Sequence, residues 1–139
     1  MIALDRFVTA QQGCYAEALA ELQAGTKRTH WMWFVFPQIA GLGHSAMARH
    51  YAIADIAEAR DYLAHPLLGR RLAECIEAML GWAERRDAVS ILGTIDATKF
   101  RSSMTLFDAA GGEETFASAL DAFYGGERDP ETLRILGKT

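Results

Sequence analysis

The sequence predicts an all-α protein, a compact multihelical domain of about six to eight helices without a sheet. Three observations support this class. Apolar residues recur at intervals of three and four along most of the chain, as they do on the buried face of an amphipathic helix. Residues that cap or break helices interrupt the pattern at short intervals. No segment alternates apolar and polar residues as a half-buried strand would.

The first helix is predicted over residues 5–24, where the apolar spacing is regular and Gly25 provides a stop. Pro37 and the glycines that follow it predict a loop over residues 36–44. A helix then resumes near Ser45.

The middle of the chain begins with a capping signal. Asp55 followed by Glu58 resembles a capping box for a short helix that ends at residue 64. A new helix is predicted to begin at His65 and Pro66, because proline suits the first turn of a helix. A long apolar face follows to about residue 82.

The C-terminal part predicts four further helical segments, over residues 87–92, 95–107, 113–124 and 129–136. Asp87 can cap the first, and the mixture of apolar and hydroxyl residues in the second fits a mostly buried helix. Asp129 and Pro130 suit the N-cap and first position of the last.

Length and charge restrict the function. The chain has 139 residues, of which 50% are apolar, so one domain over residues 1–139 can form a hydrophobic core. The net charge of −4 argues against a binder of nucleic acid or anionic membrane, because both need a broad excess of Lys and Arg.

Neither a targeting segment nor a membrane span is expected. The N-terminus lacks a basic region followed by a long apolar run, and no stretch approaches the roughly 20 apolar residues that cross a bilayer. Cys14 and Cys75 lack the spacing of a metal site and indicate a reducing, cytoplasmic setting. Buried free thiols are the simplest interpretation, with a disulfide between them left open.

Residues 27–43 are the segment most suited to line a functional site. A basic group, large aromatics and a glycine-punctuated turn follow one another, so cationic donors and flat apolar surface come together. That combination suits a planar or anionic small molecule. The candidate ligand-binding residues are Lys27, Arg28, Trp31, Trp33 and Gln38, and His30 is the candidate acid or base. The alternatives are core packing for the aromatics and bonding to loop backbone for Gln38.

A second polar cluster lies on the helix predicted over residues 95–107. Asp96 and Lys99 are one helical turn apart and are, with His30, the candidate catalytic residues. The candidate hydroxyl donors are Ser102, Ser103 and Thr105. In the functional interpretation this stripe meets a bound anion together with Lys27 or His30. In the structural alternative it is an internal salt bridge with hydroxyls bonded to backbone carbonyls.

Signatures of metals and cofactors are missing. His44 and His50 lack a partner at the spacing that a helical metal site requires, so no metal is expected. The chain has no phosphate-binding loop, dinucleotide fingerprint, nucleophile elbow or zinc-protease motif, and no cofactor is expected.

Four motifs carry a resemblance to a known family. They are residues 27–38 (KRTHWMWFVFPQ), 41–45 (GLGHS), 62–69 (YLAHPLLG) and 96–107 (DATKFRSSMTLF). Together they resemble the bacterial family catalogued as domain of unknown function 1810, over nearly the whole chain. Thr29 stands where serine is common in the family, and it keeps the hydroxyl.

The resemblance implies a compact all-helical fold and no established activity. Some family members carry the label calpastatin, a calpain inhibitor. The inhibitory segments of calpastatin are disordered before binding, whereas this chain has the apolar content of a folded domain, so the label is not transferred.

Three hypotheses about function follow. The first is a site for a small anionic or nucleotide-like ligand, with hydrolysis or group transfer as the accompanying chemistry. The second is a non-catalytic module whose loop and aromatics dock a partner protein or a second copy, as in a homodimer. The third is that both polar clusters only join helices.

Overall fold

Residues 4–138 are described by the computed structural model, so the expected domain limits at residues 1 and 139 lie outside the described residues. Within this range the chain forms ten helices. They are α1 (Asp5–Gln11), α2 (Tyr15–Gln23), α3 (Met32–Val35), α4 (Ala46–His50), α5 (Ile56–Ala64), α6 (Leu68–Leu80), α7 (Ala88–Leu92), α8 (Thr94–Ala109), α9 (Glu114–Tyr124) and α10 (Pro130–Leu136).

The predicted all-helical class is confirmed. Between residues 4 and 138 no strand forms, and Ile39 and Ile53 make an isolated parallel bridge. The helix count exceeds the expected six to eight because the predicted first helix is divided into α1 and α2 and because the four-residue helix α3 was not predicted. None of the helices in this range is both long and apolar enough to cross a membrane.

The prediction of one helix over residues 5–24 was wrong, because the chain breaks between α1 and α2. Two short turns connect the two helices. In the first, Gln12 N donates to Thr9 O, and in the second, Cys14 N donates to Gln11 O. Gly13 at the break disfavours a continuous helix by roughly 1 kcal/mol relative to alanine. The break also places Gln11 in the core, where its amide nitrogen donates to Phe34 O at 2.7 Å.

Helix starts in the rest of the chain follow their caps. Four cap side chains accept a hydrogen bond from a backbone N–H in the first turn: Ser45, Asp55, Asp87 and Asp129. Each satisfies a donor that would otherwise lack a partner. His65 does the same before α6, since its Nδ1 accepts from Leu67 N and Leu68 N.

Helix α8 contributes more buried residues than any other of the ten helices and packs against α5, α7, α9 and α10. Its Phe100 ring meets Phe36 at 4.8 Å and its Phe107 ring meets Tyr62 at 5.3 Å, between centroids. One hydrophobic core therefore runs from α1 to α9 around this helix.

The predicted loop 36–44 is held against residues 50–53. Ile53 N donates to Gln38 O at 2.9 Å and Ala40 N donates to Ile53 O at 2.8 Å. Arg6 supports the same stretch from α1 by donating to His50 O and Ala52 O. This pairing fixes the loop that flanks the candidate site.

Candidate functional site

Glu21, on α2, organises the start of segment 27–43. Its Oε1 accepts hydrogen bonds from Arg28 N at 2.7 Å, Thr29 N at 3.0 Å and Trp31 Nε1 at 2.9 Å, and its Oε2 accepts from Thr29 Oγ1 at 2.7 Å. Burial alone raises the pKa of Glu21, but these hydrogen bonds outweigh burial and lower the pKa to about 2. A charged carboxylate therefore shapes the segment.

The two polar clusters meet through an ion pair. Lys27 N donates to Ile91 O at 2.8 Å, and Lys27 Nζ lies 2.9 Å from Asp96 Oδ2. Lys99 Nζ lies 3.9 Å from Asp96 Oδ1. The side chains of Lys27 and Asp96 are only 9% and 18% exposed, so water screens this pair weakly. Two ammonium groups around one carboxylate leave one net positive charge.

A cleft of about 410 Å³ lies beside this ion pair, between loop 36–44, α8 and the start of α10. Three predicted site residues line it together, namely Gln38, Lys99 and Ser102. The other lining residues are Leu42, Gly43, Ile95, Thr98, Asp129 and Glu131. A volume of this size falls within the range of roughly 300–1,000 Å³ typical of small-molecule sites.

Asp129 and Glu131 are cleft residues that the sequence did not identify as such. Asp129 was recognised only as the cap of α10, and Glu131 follows it in the first turn. The missing information was the packing of α10 against α8, for which the sequence carries no local signal. The hydrogen bond from Ser102 Oγ to Asp129 Oδ2, at 3.2 Å, joins the two helices at this point.

Two of the predicted hydroxyl donors are occupied within the protein. The Ser102 hydroxyl, which has a single proton, also lies 3.2 Å from Thr98 O, so the two acceptors share it. Thr105 Oγ1 donates to Arg101 O at 2.8 Å and accepts from Asp129 N at 2.9 Å. These contacts are the ones expected in the structural alternative, in which the hydroxyls bond to backbone carbonyls within the protein. Ser103, by contrast, is wholly buried, and its hydroxyl has no hydrogen-bond partner among residues 4–138.

The tryptophans, two positions apart, lie in different environments. Trp31 is fully buried and bonded to Glu21, so its ring faces the core. Trp33 is half-buried, and Lys99 Nζ lies 5.2 Å from its ring centroid. Only Trp33 therefore offers aromatic surface next to the cation of the cleft.

His30 and Arg28 lie outside the ion-paired cluster. Both are exposed, and neither side chain makes a hydrogen bond or ion pair within the described range. Asp96 and Lys99 are therefore the two candidate catalytic residues that meet in space. In the same range, no three His, Cys, Asp or Glu side chains gather into a metal-binding group.

Comparisons with known proteins confirm the family that the four sequence motifs resemble. The family model described as "Protein of unknown function (DUF1810)" matches residues 1–136. Among solved structures, the chain is similar to the conserved hypothetical protein Rv1873 from Mycobacterium tuberculosis, known from a crystal structure. The two are 45% identical, with a TM-score of 0.93 over 98% of this chain and 97% of that chain. A search of the curated proteins found no match.

Proposed function

The chain belongs to the DUF1810 family of proteins of unknown function, and from this premise we propose that the cleft beside Lys99 binds a small anionic or nucleotide-like molecule. The observation that carries the proposal is the convergence of Gln38 and Lys99, from two distant segments, on one cleft. Lys99 and Gln38 both line this cleft, and the half-buried indole of Trp33 lies next to Lys99, with its ring centroid 5.2 Å from Lys99 Nζ.

Each group has a defined part in binding. Lys99 neutralises a phosphate or carboxylate as a point charge. The side-chain amide of Gln38 hydrogen-bonds to polar atoms of the ligand, and Trp33 contacts a planar group of the ligand. Lys27 acts indirectly, because its ion pair with Asp96 holds that carboxylate beside Lys99.

Catalysis, where it occurs, would be hydrolysis or group transfer. Asp96 is the carboxylate nearest Lys99 and is the candidate acid or base. His30, the other candidate, is exposed and does not line the cleft. Conversion of a bound ligand by the wild type and not by Asp96→Asn would support this part of the proposal.

The test is a thermal-shift screen against nucleotides, ADP-ribose derivatives, sugar phosphates and simple anions. A ligand at 100 times its dissociation constant stabilises the protein by about 2.7 kcal/mol. We expect at least one compound to raise the melting temperature of the wild type, and we expect Lys99→Met to lose most of that shift. Methionine keeps an apolar stem against Trp33 while removing the charge.

Lys138→Met is the matched control, because Lys138 is exposed and does not line the cleft. It should retain the full shift. A ligand whose effect survives in Lys99→Met would contradict the assignment of this cleft, as would a panel without any stabilising compound.

The second candidate function is a protein-interaction module. The observation that favours it is Ile95, which is 74% exposed at the rim of the same cleft. Sedimentation of the purified protein over a range of concentrations tests the case in which the partner is a second copy. Association that Ile95→Glu abolishes would support this function.

A further inference from the structure

A second cleft, of about 380 Å³, lies where α5, α6 and the turn between α8 and α9 meet. None of its lining residues belongs to the cleft beside Lys99. Its apolar lining includes Leu63 from α5, Ile76 from α6 and Phe116 from α9. Ile76 and Phe116 are buried, so the apolar part is continuous with the core.

Arg60 supplies the cation of this second cleft. Its Nε donates to Ala110 O at 3.2 Å, which anchors the guanidinium at the lining. Within residues 4–138 its terminal nitrogens have no hydrogen-bond partner and it forms no ion pair. A guanidinium presents a planar fork of donors that matches a carboxylate.

Glu113, just before α9, supplies the anion. Its side chain makes no capping hydrogen bond, and within the described range it forms no ion pair with Arg60 or any other cation. The cleft therefore presents one unpaired positive group, one unpaired negative group and an apolar floor. A ligand that complements all three carries both charges and a sizeable apolar part.

We propose that this second cleft binds a free α-amino acid with a large apolar side chain. Its carboxylate meets Arg60, its ammonium group meets Glu113, and its side chain covers Leu63, Ile76 and Phe116. Ala73 on α6 is small and leaves room for that side chain. This site is independent of the proposed function, because it shares no lining residue with the first cleft.

The test is a titration of ¹⁵N-labelled protein with phenylalanine, followed by nuclear magnetic resonance. Saturable shifts at millimolar concentrations are expected around Gly111, Gly112 and Thr115, which line the cleft. Phenylalaninamide and N-acetylphenylalanine each lack one charge and should bind about tenfold more weakly. Glycine, which lacks the apolar part, should bind more weakly still.

Variants assign the two charged contacts. Arg60→Gln and Glu113→Gln should each weaken phenylalanine binding by about tenfold, a change of about 1.4 kcal/mol. Ala73→Phe should abolish binding by filling the cleft. Arg49→Gln is the matched control, because Arg49 is exposed on α4 and does not line the cleft. Arg60 and Glu113 are also exposed, so their variants should fold.

Three results would overturn the proposal. One is the absence of saturable shifts with phenylalanine. Another is equal binding of the amide and the N-acetyl derivative, which would exclude recognition of both charges. The third is unchanged affinity in Arg60→Gln and Glu113→Gln, which would place the ligand elsewhere.

Discussion

At the scale of single residues, Glu21 organises the start of the candidate site, although nothing in the sequence distinguishes it from the other glutamates. It holds the backbone of Arg28 and Thr29 and the indole of Trp31 at once. In the sequence it is one of several glutamates on an amphipathic helix. Its role depends on the fold, which brings Arg28, Thr29 and Trp31 back against α2.

Replacing Glu21 by Gln should destabilise the protein by about 1–3 kcal/mol at neutral pH, because hydrogen bonds to a charged acceptor are lost. The folded-state pKa of Glu21 lies near 2, below its ordinary value of 4.5. Its stabilisation is therefore present above about pH 4.5 and is lost as the pH falls towards 2. Urea denaturation over this pH range measures the difference.

Glu17→Gln is the control, since Glu17 is exposed one turn earlier on the same helix. Its effect should stay within about 0.5 kcal/mol at every pH. If the gap between wild type and Glu21→Gln does not narrow as the pH falls, the assigned role of the charged carboxylate is wrong.

At the scale of elements, the docking of α10 on α8 shapes the cleft. Asp129 Oδ2 accepts from Thr132 N at 3.0 Å, from Thr132 Oγ1 at 2.6 Å and from Ser102 Oγ at 3.2 Å. The cap of one helix is thus also the contact with another. Ser102 and Thr105, which were predicted as ligand donors, both hydrogen-bond to Asp129 at this junction.

Asp129→Ala should lower the free energy of unfolding by about 2 kcal/mol, since the loss of an N-cap alone costs about 1 kcal/mol and the bond to Ser102 goes with it. Glu131→Ala, two positions later, is the control. Glu131 pairs with Arg134 at an exposed position, and such pairs contribute little. Urea denaturation at neutral pH compares the two. Equal losses of stability would argue against the junction.

At the scale of the whole molecule, the ion pair of Lys27 and Asp96 joins the segment after α2 to the first turn of α8. The contact joins two residues that are separated by about half of the chain, and it lies beside the cleft. Breaking one side leaves a weakly solvated charge without its partner. The arrangement of the cleft therefore depends on a long-range electrostatic contact.

A double-mutant cycle measures that contact. Lys27→Met and Asp96→Asn should each destabilise the protein by about 2 kcal/mol, and the double variant should lose at least about 1 kcal/mol less than their sum. Arg134 and Glu131 form the control pair, with side chains 63% and 59% exposed. Their coupling should not exceed about 0.5 kcal/mol. Additive losses in the first cycle would contradict the proposed coupling.

Local signals predicted most helix starts, because a cap and its first turn are neighbours in the chain. Asp55, Asp87 and Asp129 all begin helices as expected. The break at Gly13 was missed, since apolar spacing continues across it and the reason for the break is distant. That reason is the bonding of Gln11 to Phe34 O and Tyr62.

The sequence by itself determined the helical class, most helix ends and the two polar segments, because periodicity and capping depend on near neighbours. It did not determine that Trp31 enters the core while Trp33 lies beside Lys99. The tertiary structure decided this, and also which hydroxyls join helices and which residues of α10 complete the cleft. Such contacts arise between segments far apart in the chain, and their energies depend on how all the helices pack together.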